Sequence, residues 1–211
     1  MTDYLPPTQR GRQRANDLLN CAIDTFIEFG YSRTSLDRII AQVGGSRSTI
    51  YQVYGNKQGL FKSALQNLAD EIYQSYMKDY RHGRSLETEF EVFGRIYLKG
   101  MLSERAVGAT RLIIAETPQM PEIGVWFYRE GIAKTYEGFA KVLENHLDAP
   151  LADLEDAAAH YIEMLRGPLF MKALCQPDFK PTDDDIEAES KRAADIMCTW
   201  LKAKWSMREE A

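Results

Sequence analysis

The sequence predicts an all-α fold of about nine helices, in which a small three-helix head precedes a larger helical body. Apolar residues recur at intervals of three and four through most of the 211 residues, which is the period of an α-helix. Polar breaks with Gly or Pro separate many of these periodic segments. No stretch shows the two-residue alternation of a half-buried strand, so the prediction contains no sheet.

The first helix is predicted over residues 14–29, before Gly30. Its inward stripe consists of Leu18, Leu19, Ala22, Ile23, Phe26 and Ile27. Gly30 suits the C-terminal end of such a helix because it adopts backbone conformations that other residues avoid. Thr34 or Ser35 then suits the N-cap of the next helix.

Residues 35–43 and 47–54 are two short apolar segments joined by Gly44-Gly45, with Ser46 as a good N-cap for the second. Their inward faces consist of Leu36, Ile39, Ile40 and Val43 in the first segment and of Ile50 and Val53 in the second. Two short helices joined by a tight Gly turn form the helix-turn-helix pattern. The second helix of that pattern lies in the major groove of DNA.

The outward face of this second helix carries hydrogen-bonding side chains with a single formal charge: Arg47, Ser48, Thr49, Tyr51, Gln52 and Tyr54. In the major groove Arg pairs with guanine, Gln pairs with adenine, and a Thr methyl packs on the thymine methyl. Tyr51, Tyr54 and the following Lys57 are of types that hold phosphates. The alternative is an ordinary surface helix in a helical bundle.

A combination of residues in this stretch is typical of one family: Thr34-Ser35, the Gly-Gly-Ser turn, Thr49-Ile50-Tyr51, Tyr54, Asn56-Lys57 and Leu60-Phe61. With these residues the first quarter of the chain resembles the DNA-binding region of the TetR/AcrR family of bacterial transcriptional regulators. The resemblance implies a homodimeric repressor that responds to a ligand, and it implies a phosphate contact for Thr34. The predicted DNA-binding residues are therefore Thr34, Ser46, Arg47, Ser48, Thr49, Tyr51, Gln52, Tyr54 and Lys57.

Six further helices are predicted over residues 57–80, 86–102, 106–115, 121–146, 151–174 and 183–204. The first of these is long enough to connect the head to a separate body, because ~1.5 Å per residue gives about 30 Å. Pro121 stands at a first-turn position, where Pro is tolerated. Pro168 falls inside a predicted helix and removes an amide donor, so we expect a kink at Gly167-Pro168.

A second resemblance, looser than the first, concerns the body. Residues 111–116 with Pro118 and Pro121, residues 127–128 with Gly131, and residues 165–168 resemble AefR-like repressors, a C-terminal subtype of the same family. The family's last two helices pack against their symmetry mates as a four-helix bundle, which implies a homodimer here. The candidate interface residues are Leu165, Leu169, Phe170, Ile196, Met197 and Trp200. The alternative is that these residues fill the core of the monomer.

A ligand pocket is predicted among the middle helices, lined by aromatic side chains and a few polar groups. The candidate lining residues are Phe93, Tyr97, Arg111, Trp126, Tyr128 and His160. Aromatic residues at helical spacing also fit a plain hydrophobic core. Arg111 fits either an anionic ligand or a structural ion pair with Glu116 or Glu130.

Charge is distributed unevenly along the chain. Residues 1–62 hold eight Lys and Arg against five Asp and Glu, a net charge of +3, whereas the whole chain carries −5, which leaves −8 for the remainder. A basic head on an acidic body fits DNA contact at one end, so we place the domains at residues 1–62 and 63–211.

Before the first helix, residues 2–14 include Arg10, Arg12 and Arg14, and two interpretations stay open: disorder, or an arm along the DNA backbone or minor groove.

Composition argues against several other classes. No apolar run approaches the ~20 residues of a membrane span, and the N-terminus lacks the features of a signal peptide. Cys21, Cys175 and Cys198 form no CxxC pair, so we expect a cytoplasmic protein that does not bind membranes. No metal-ligand spacing, nucleotide-binding loop or hydrolase motif occurs, so we predict no cofactor, no metal and no catalysis.

These observations predict a homodimeric transcriptional repressor with two partners, a palindromic double-stranded DNA operator and a small-molecule effector that releases the protein from it. One alternative of a different class stays open, a helical small-molecule-binding or catalytic protein without a DNA role. Sequence-specific DNA binding distinguishes the two interpretations.

Overall fold

The computed structural model describes residues 8–81 and 83–205, and these residues contain helices and no β-strand. The helices are α1 (Gln9–Phe29), α2 (Leu36–Val43), α3 (Arg47–Tyr54), α4 (Lys57–Asp79), α5 (Leu86–Met101), α6 (Glu104–Glu116), α7 (Pro121–Phe127), a π-helical segment (Tyr128–Ala133), α8 (Lys134–Leu143), α9 (Leu151–Cys175) and α10 (Asp183–Lys204). Because α7, the π-helical segment and α8 follow without a break, they form one continuous helix. The all-α prediction is confirmed.

The start of α1 corrects one prediction. The Thr8 hydroxyl accepts a hydrogen bond from the Gly11 amide at 3.1 Å, and α1 begins at Gln9 rather than at residue 14. The basic cluster of Arg10, Arg12 and Arg14 is therefore helical rather than disordered, and its contact with the DNA backbone or minor groove stays a prediction. Apolar periodicity does not reveal this turn because a polar first turn has no apolar stripe, although an N-cap supports it. The rest of the predicted arm, residues 2–7, lies outside the described residues.

The chain divides into two compact units. Of the described residues, the first contains 8–71 together with Glu104–Val125. In it the Phe26 ring packs on Phe61, with centroids 4.8 Å apart. Helix α6 belongs to this unit because Arg105 Nε donates to Asp24 Oδ1 of α1 at 2.6 Å. The unit therefore includes more than the predicted head of residues 1–62, and the domain boundary stays a prediction.

Of the described residues, the second unit contains 72–81, 83–103 and 126–205. Its core is an aromatic cluster between α5, α8 and α9. The Phe93 and Phe139 centroids lie 4.1 Å apart, and the Phe90 ring meets Tyr161 edge-on at 4.4 Å. The buried Tyr161 hydroxyl donates to the Phe90 carbonyl oxygen, which satisfies the one polar group of this ring.

Helix α9 contains the kink that the sequence predicts. Gly167 has φ 9° and ψ −128°, which is not helical, and Pro168 follows it inside the helix. Proline cannot donate an amide hydrogen bond to the preceding turn, so the helix axis bends at this dipeptide. Among the described residues, no helix has the length and apolar character needed to cross a bilayer.

A buried hydrogen bond joins α4 and α5 in the second unit. The Tyr76 hydroxyl donates to Glu89 Oε1 at 2.5 Å, and both side chains are buried. Burial and the neighbouring carboxylate raise the pKa of Tyr76, so the phenol keeps its proton and acts as the donor. Arg84 Nη1 lies 4.0 Å from Glu89 Oε2, which places a positive charge beside the same carboxylate.

Tyr76→Phe is expected to lower the free energy of unfolding by about 1–3 kcal/mol, because it removes a donor from a buried carboxylate and leaves the ring in place. Urea unfolding of the full chain measures this difference. Tyr73→Phe on the same helix is the matched control, since its ring is 51% exposed, and we expect a change within about 0.5 kcal/mol. Equal losses in the two variants would contradict a stabilising role for the buried hydrogen bond.

Candidate nucleic-acid interface

The turn between α2 and α3 depends on its two glycines. Gly44 has φ 73° and Gly45 has φ 117°, a region that side chains with a Cβ rarely adopt. The Ser46 hydroxyl then accepts a hydrogen bond from the Thr49 amide at 3.1 Å and caps α3. The predicted turn and cap are confirmed, and α3 has the bounds that the sequence predicts.

Helix α3 is anchored by one face and exposes the other. The Ile50 side chain is buried in the first unit, and Val53 is half-buried. The exposed residues of α3 are Arg47, Ser48, Thr49, Tyr51 and Gln52, and Tyr54 at its end is half-buried. Burial raises the pKa of Tyr54, so its hydroxyl remains a neutral donor at physiological pH. The structure thus gathers six predicted contact residues on one short helix.

Arg47 is paired with a residue that the sequence analysis missed. Its guanidinium donates from Nε and from Nη2 to the two carboxylate oxygens of Asp37, in the first turn of α2. The hydrogen bond from Arg47 lowers the pKa of the Asp37 carboxyl, which stays ionised. Helical periodicity could not reveal this pair because its members lie on different helices.

Lys57 opens α4 beside the head. Its Nζ lies 4.4 Å from the centroid of the Tyr31 ring and donates to the Ser32 carbonyl oxygen at 3.4 Å. Partial burial lowers the pKa of Lys57, and the negative charge of Glu116 acts in the opposite direction. Tyr31 was not among the predicted residues, and its ring lies against the ammonium group of Lys57.

Thr34 differs from the other predicted contacts. It is 2% exposed, and its hydroxyl donates to the carbonyl oxygens of Gly30 at 2.8 Å and Thr25 at 3.3 Å. These bonds hold the loop between α1 and α2 against the end of α1. The hydroxyl therefore has a structural role in this chain, and the phosphate contact implied by the family resemblance gains no support from its position.

Lys57→Ala is expected to weaken binding to every duplex sequence and to lower the slope of log affinity against log salt by about one unit per subunit bound. The reason is that a phosphate contact releases counterions but carries no sequence information. Fluorescence anisotropy at several salt concentrations measures the slope. Lys78→Ala, an exposed lysine at the other end of α4, is the control with the same change in charge. An unchanged slope for Lys57→Ala would rule out its phosphate contact.

The predicted pocket residues belong to both units and differ in burial. Phe93 and Tyr97 stack in the core of the second unit with centroids 5.5 Å apart, and burial raises the pKa of Tyr97 to about 12. Tyr128 and His160 lie on the surface of the second unit, and the His160 ring is beside the Asp156 carbonyl oxygen at 2.8 Å. Arg111 belongs to the first unit and Trp126 to the second. Phe93 and Tyr97 are thus buried, whereas Tyr128 and His160 are exposed, and the pocket stays a prediction.

Four of the six predicted interface residues are buried inside the chain. Leu165 and Met197 belong to the hydrophobic core of the second unit, and Leu169 and Phe170 are also buried. Burial within one chain favours the alternative that these four residues fill the core of the monomer, and their place in a dimer interface stays a prediction. Ile196 is 51% exposed and Trp200 is 40% exposed, both on α10. These two side chains remain candidates for contact with a second subunit.

A short helix that exposes hydrogen-bonding side chains after a Gly-Gly turn, inside a three-helix head, defines a helix-turn-helix DNA-binding protein. Comparison with known families agrees. Residues 18–64 match the model for bacterial regulatory proteins of the tetR family, and residues 88–202 match the C-terminal domain of AefR-like transcriptional repressors. The chain belongs to the TetR family of transcriptional regulators.

Comparisons with individual proteins indicate the same family. An uncharacterized HTH-type transcriptional regulator of Bacillus subtilis, YezE, is 26% identical over 190 residues, which cover 84% of this chain and 96% of YezE. A TetR-family regulator from Mesorhizobium loti has a similar structure, with a TM-score of 0.78 at 20% identity over 92% of this chain and 98% of that chain. The flavonoid-responsive regulator FrrA has a TM-score of 0.66 at 24% identity over 94% of this chain and 99% of its own.

Proposed function

We propose that the protein is a homodimeric repressor that binds a palindromic DNA operator and leaves it when a small molecule binds the body. The observation that supports this most is the exposed face of α3, where Arg47, Gln52 and Thr49 can all meet base edges. In a symmetric dimer the two α3 helices would enter successive major grooves, roughly 34–36 Å apart. In this proposal residues 1–62 bind DNA, and residues 63–211 bind the effector and the second subunit.

The proposed effector is small and largely apolar. Its site lies in the second unit near Phe93 and Tyr97, where aromatic rings offer apolar surface. Helix α4 contributes residues to both units. A conformational change that ligand binding causes in the body can therefore reach the head along this helix. A coupling of about 1–3 kcal/mol between effector and operator corresponds to a 5–150-fold change in operator affinity.

The proposed role requires no catalysis, metal or cofactor, because binding energies alone couple the two ligands. We place the protein in the cytoplasm, where a bacterial operator is accessible. The name of FrrA states that it responds to flavonoids, so planar aromatic molecules are a reasonable first set of effectors to test on this chain.

Selection from a pool of random duplex DNA, followed by sequencing, tests the proposal. The purified full-length protein should enrich an inverted repeat at low salt. Candidate effectors should then release it from the recovered duplex in an anisotropy assay. Unfolding and refolding before a second selection removes any ligand that co-purified. If neither protein sample enriches any sequence, the protein is not a sequence-specific DNA-binding regulator.

Arg47→Ala is expected to lose about 5- to 150-fold in affinity for the recovered half-site and to relax preference for one guanine in it. The measurement is anisotropy with the recovered duplex and with versions in which each guanine is replaced in turn. A uniform loss on all these duplexes would instead identify Arg47 as a phosphate contact.

A further inference from the structure

Asp37 and Arg47 form an ion pair that faces solvent. Asp37 lies in the first turn of α2 and Arg47 is the first residue of α3, and their side chains are 58% and 62% exposed. An ion pair as exposed as this one contributes little to the stability of the first unit. The pair does fix the direction of a side chain that would otherwise sample many rotamers.

The way in which Arg47 is held leaves one edge of its guanidinium available. A guanidinium has five N–H donors in a rigid plane, and Asp37 accepts from Nε and one hydrogen of Nη2. The remaining edge consists of Nη1 and the second hydrogen of Nη2. Two parallel donors of this kind match the O6 and N7 acceptors that guanine presents in the major groove. One side chain can therefore bind a carboxylate and a guanine together.

We infer that Asp37 is a positioning residue for DNA recognition, which holds the Arg47 guanidinium so that its other edge reads a guanine in each half-site. This inference rests on the proposed function. It names the base that the site recognises and a residue outside the recognition helix that sets the preference.

The charge of Asp37 gives the inference a distinctive consequence. A carboxylate near the DNA backbone repels phosphates and weakens binding to any sequence, yet it sharpens the choice of base by restricting Arg47. Removal of this charge should therefore affect two quantities differently. Preference for guanine should fall, while affinity for unrelated duplex should stay the same or rise. Substitution of a residue with a purely structural role would lower both the preference for guanine and the affinity for unrelated duplex.

The test uses full-length wild-type protein, Asp37→Asn and Glu28→Gln. Glu28 is an exposed carboxylate on α1, so its variant matches the change in charge away from α3. Each protein binds the duplex recovered by selection, the same duplex with each guanine replaced by adenine or by 7-deazaguanine, and an unrelated duplex. The 7-deaza base lacks only the N7 acceptor. Thermal unfolding is recorded in parallel.

The wild-type protein and Glu28→Gln should discriminate against adenine at one guanine per half-site by about 5- to 150-fold. Asp37→Asn should discriminate against adenine at least about fivefold less than the wild-type protein does. Its unfolding midpoint should be unchanged, and its affinity for unrelated duplex should not fall. In an Arg47→Ala background, Asp37→Asn should have no further effect on discrimination, because its action passes through Arg47.

Three results would overturn the inference. Discrimination that is unchanged in Asp37→Asn shows that Arg47 does not depend on the pair. Higher affinity for the operator with full discrimination shows that Asp37 competes with DNA for Arg47. Parallel losses on all duplexes with a lower unfolding midpoint show a structural role. In each case wild-type protein still binds its operator and the proposed function stands, whereas failure of the wild-type protein to select any sequence removes both.

Discussion

Ile196→Asp and Trp200→Asp should each convert a dimer into monomers that bind the operator about 10²–10⁴-fold more weakly. Both side chains are large, apolar and exposed, and they lie one helical turn apart on α10. A carboxylate at either position would have to be desolvated in an interface, which costs more than an apolar contact contributes. The operator affinity falls because each monomer then binds one half-site alone and loses the benefit of linked binding.

Sedimentation velocity measures the mass, and anisotropy measures operator affinity. Ile114→Asp is the matched control, because Ile114 is 60% exposed and lies on α6 in the first unit. The same substitution there should leave the dimer intact. If the α10 variants remain dimeric at low micromolar concentration, the exposed face of α10 is not the contact between subunits.

Gly59→Ala should distort the turn between α3 and α4 and abolish most operator binding. Gly59 lies in the first turn of α4, where its amide donates to the Asn56 side chain at 2.8 Å. A Cβ added there would lie 1.8 Å from the backbone oxygen of Tyr54, the last residue of α3. A backbone atom cannot rotate away as a side chain can, so α3 has to shift. We expect a loss of about 1–3 kcal/mol of stability or more and a larger relative loss of DNA affinity.

Gly138→Ala provides the control for this substitution. Gly138 lies in α8, and a Cβ added there meets no atom within 4 Å. Alanine is the better helix former, so this variant should be more stable by about 0.5–1 kcal/mol. Thermal unfolding and operator binding are compared for the two variants. Normal DNA binding by Gly59→Ala would contradict the dependence of the α3 position on this turn.

The bounds of α2, α3, α9 and α10 could be predicted because their signals are local. Ser35 and Ser46 cap α2 and α3 by accepting hydrogen bonds from the amides three residues later, and this spacing is readable in the sequence. The Gly167-Pro168 kink is local in the same sense. The start of α1 was missed because its first turn lacks apolar residues.

The candidate site could be predicted only as a set of side chains on α3. The Asp37–Arg47 pair joins two helices, and the Lys57–Tyr31 contact joins α4 to the loop after α1. Such contacts depend on tertiary packing, which periodicity along one helix does not contain. For the same reason the sequence alone leaves the interface prediction open between a dimer contact and the core of the monomer. An apolar stripe on α9 or α10 predicts burial but does not tell whether the covering residues belong to the same chain, as they do for Leu165 and Met197.

The central claim is that α3 of each subunit reads bases in the major groove of a symmetric operator. Methylation interference tests it most directly, because methylation of guanine N7 blocks the major groove without changing the minor groove. On the duplex recovered by selection, we expect methylated guanines to prevent binding in two clusters with their centres about 10 base pairs apart or a multiple of it. Interference confined to adenine N3 in the minor groove, or a single cluster without a symmetric mate, would contradict the account.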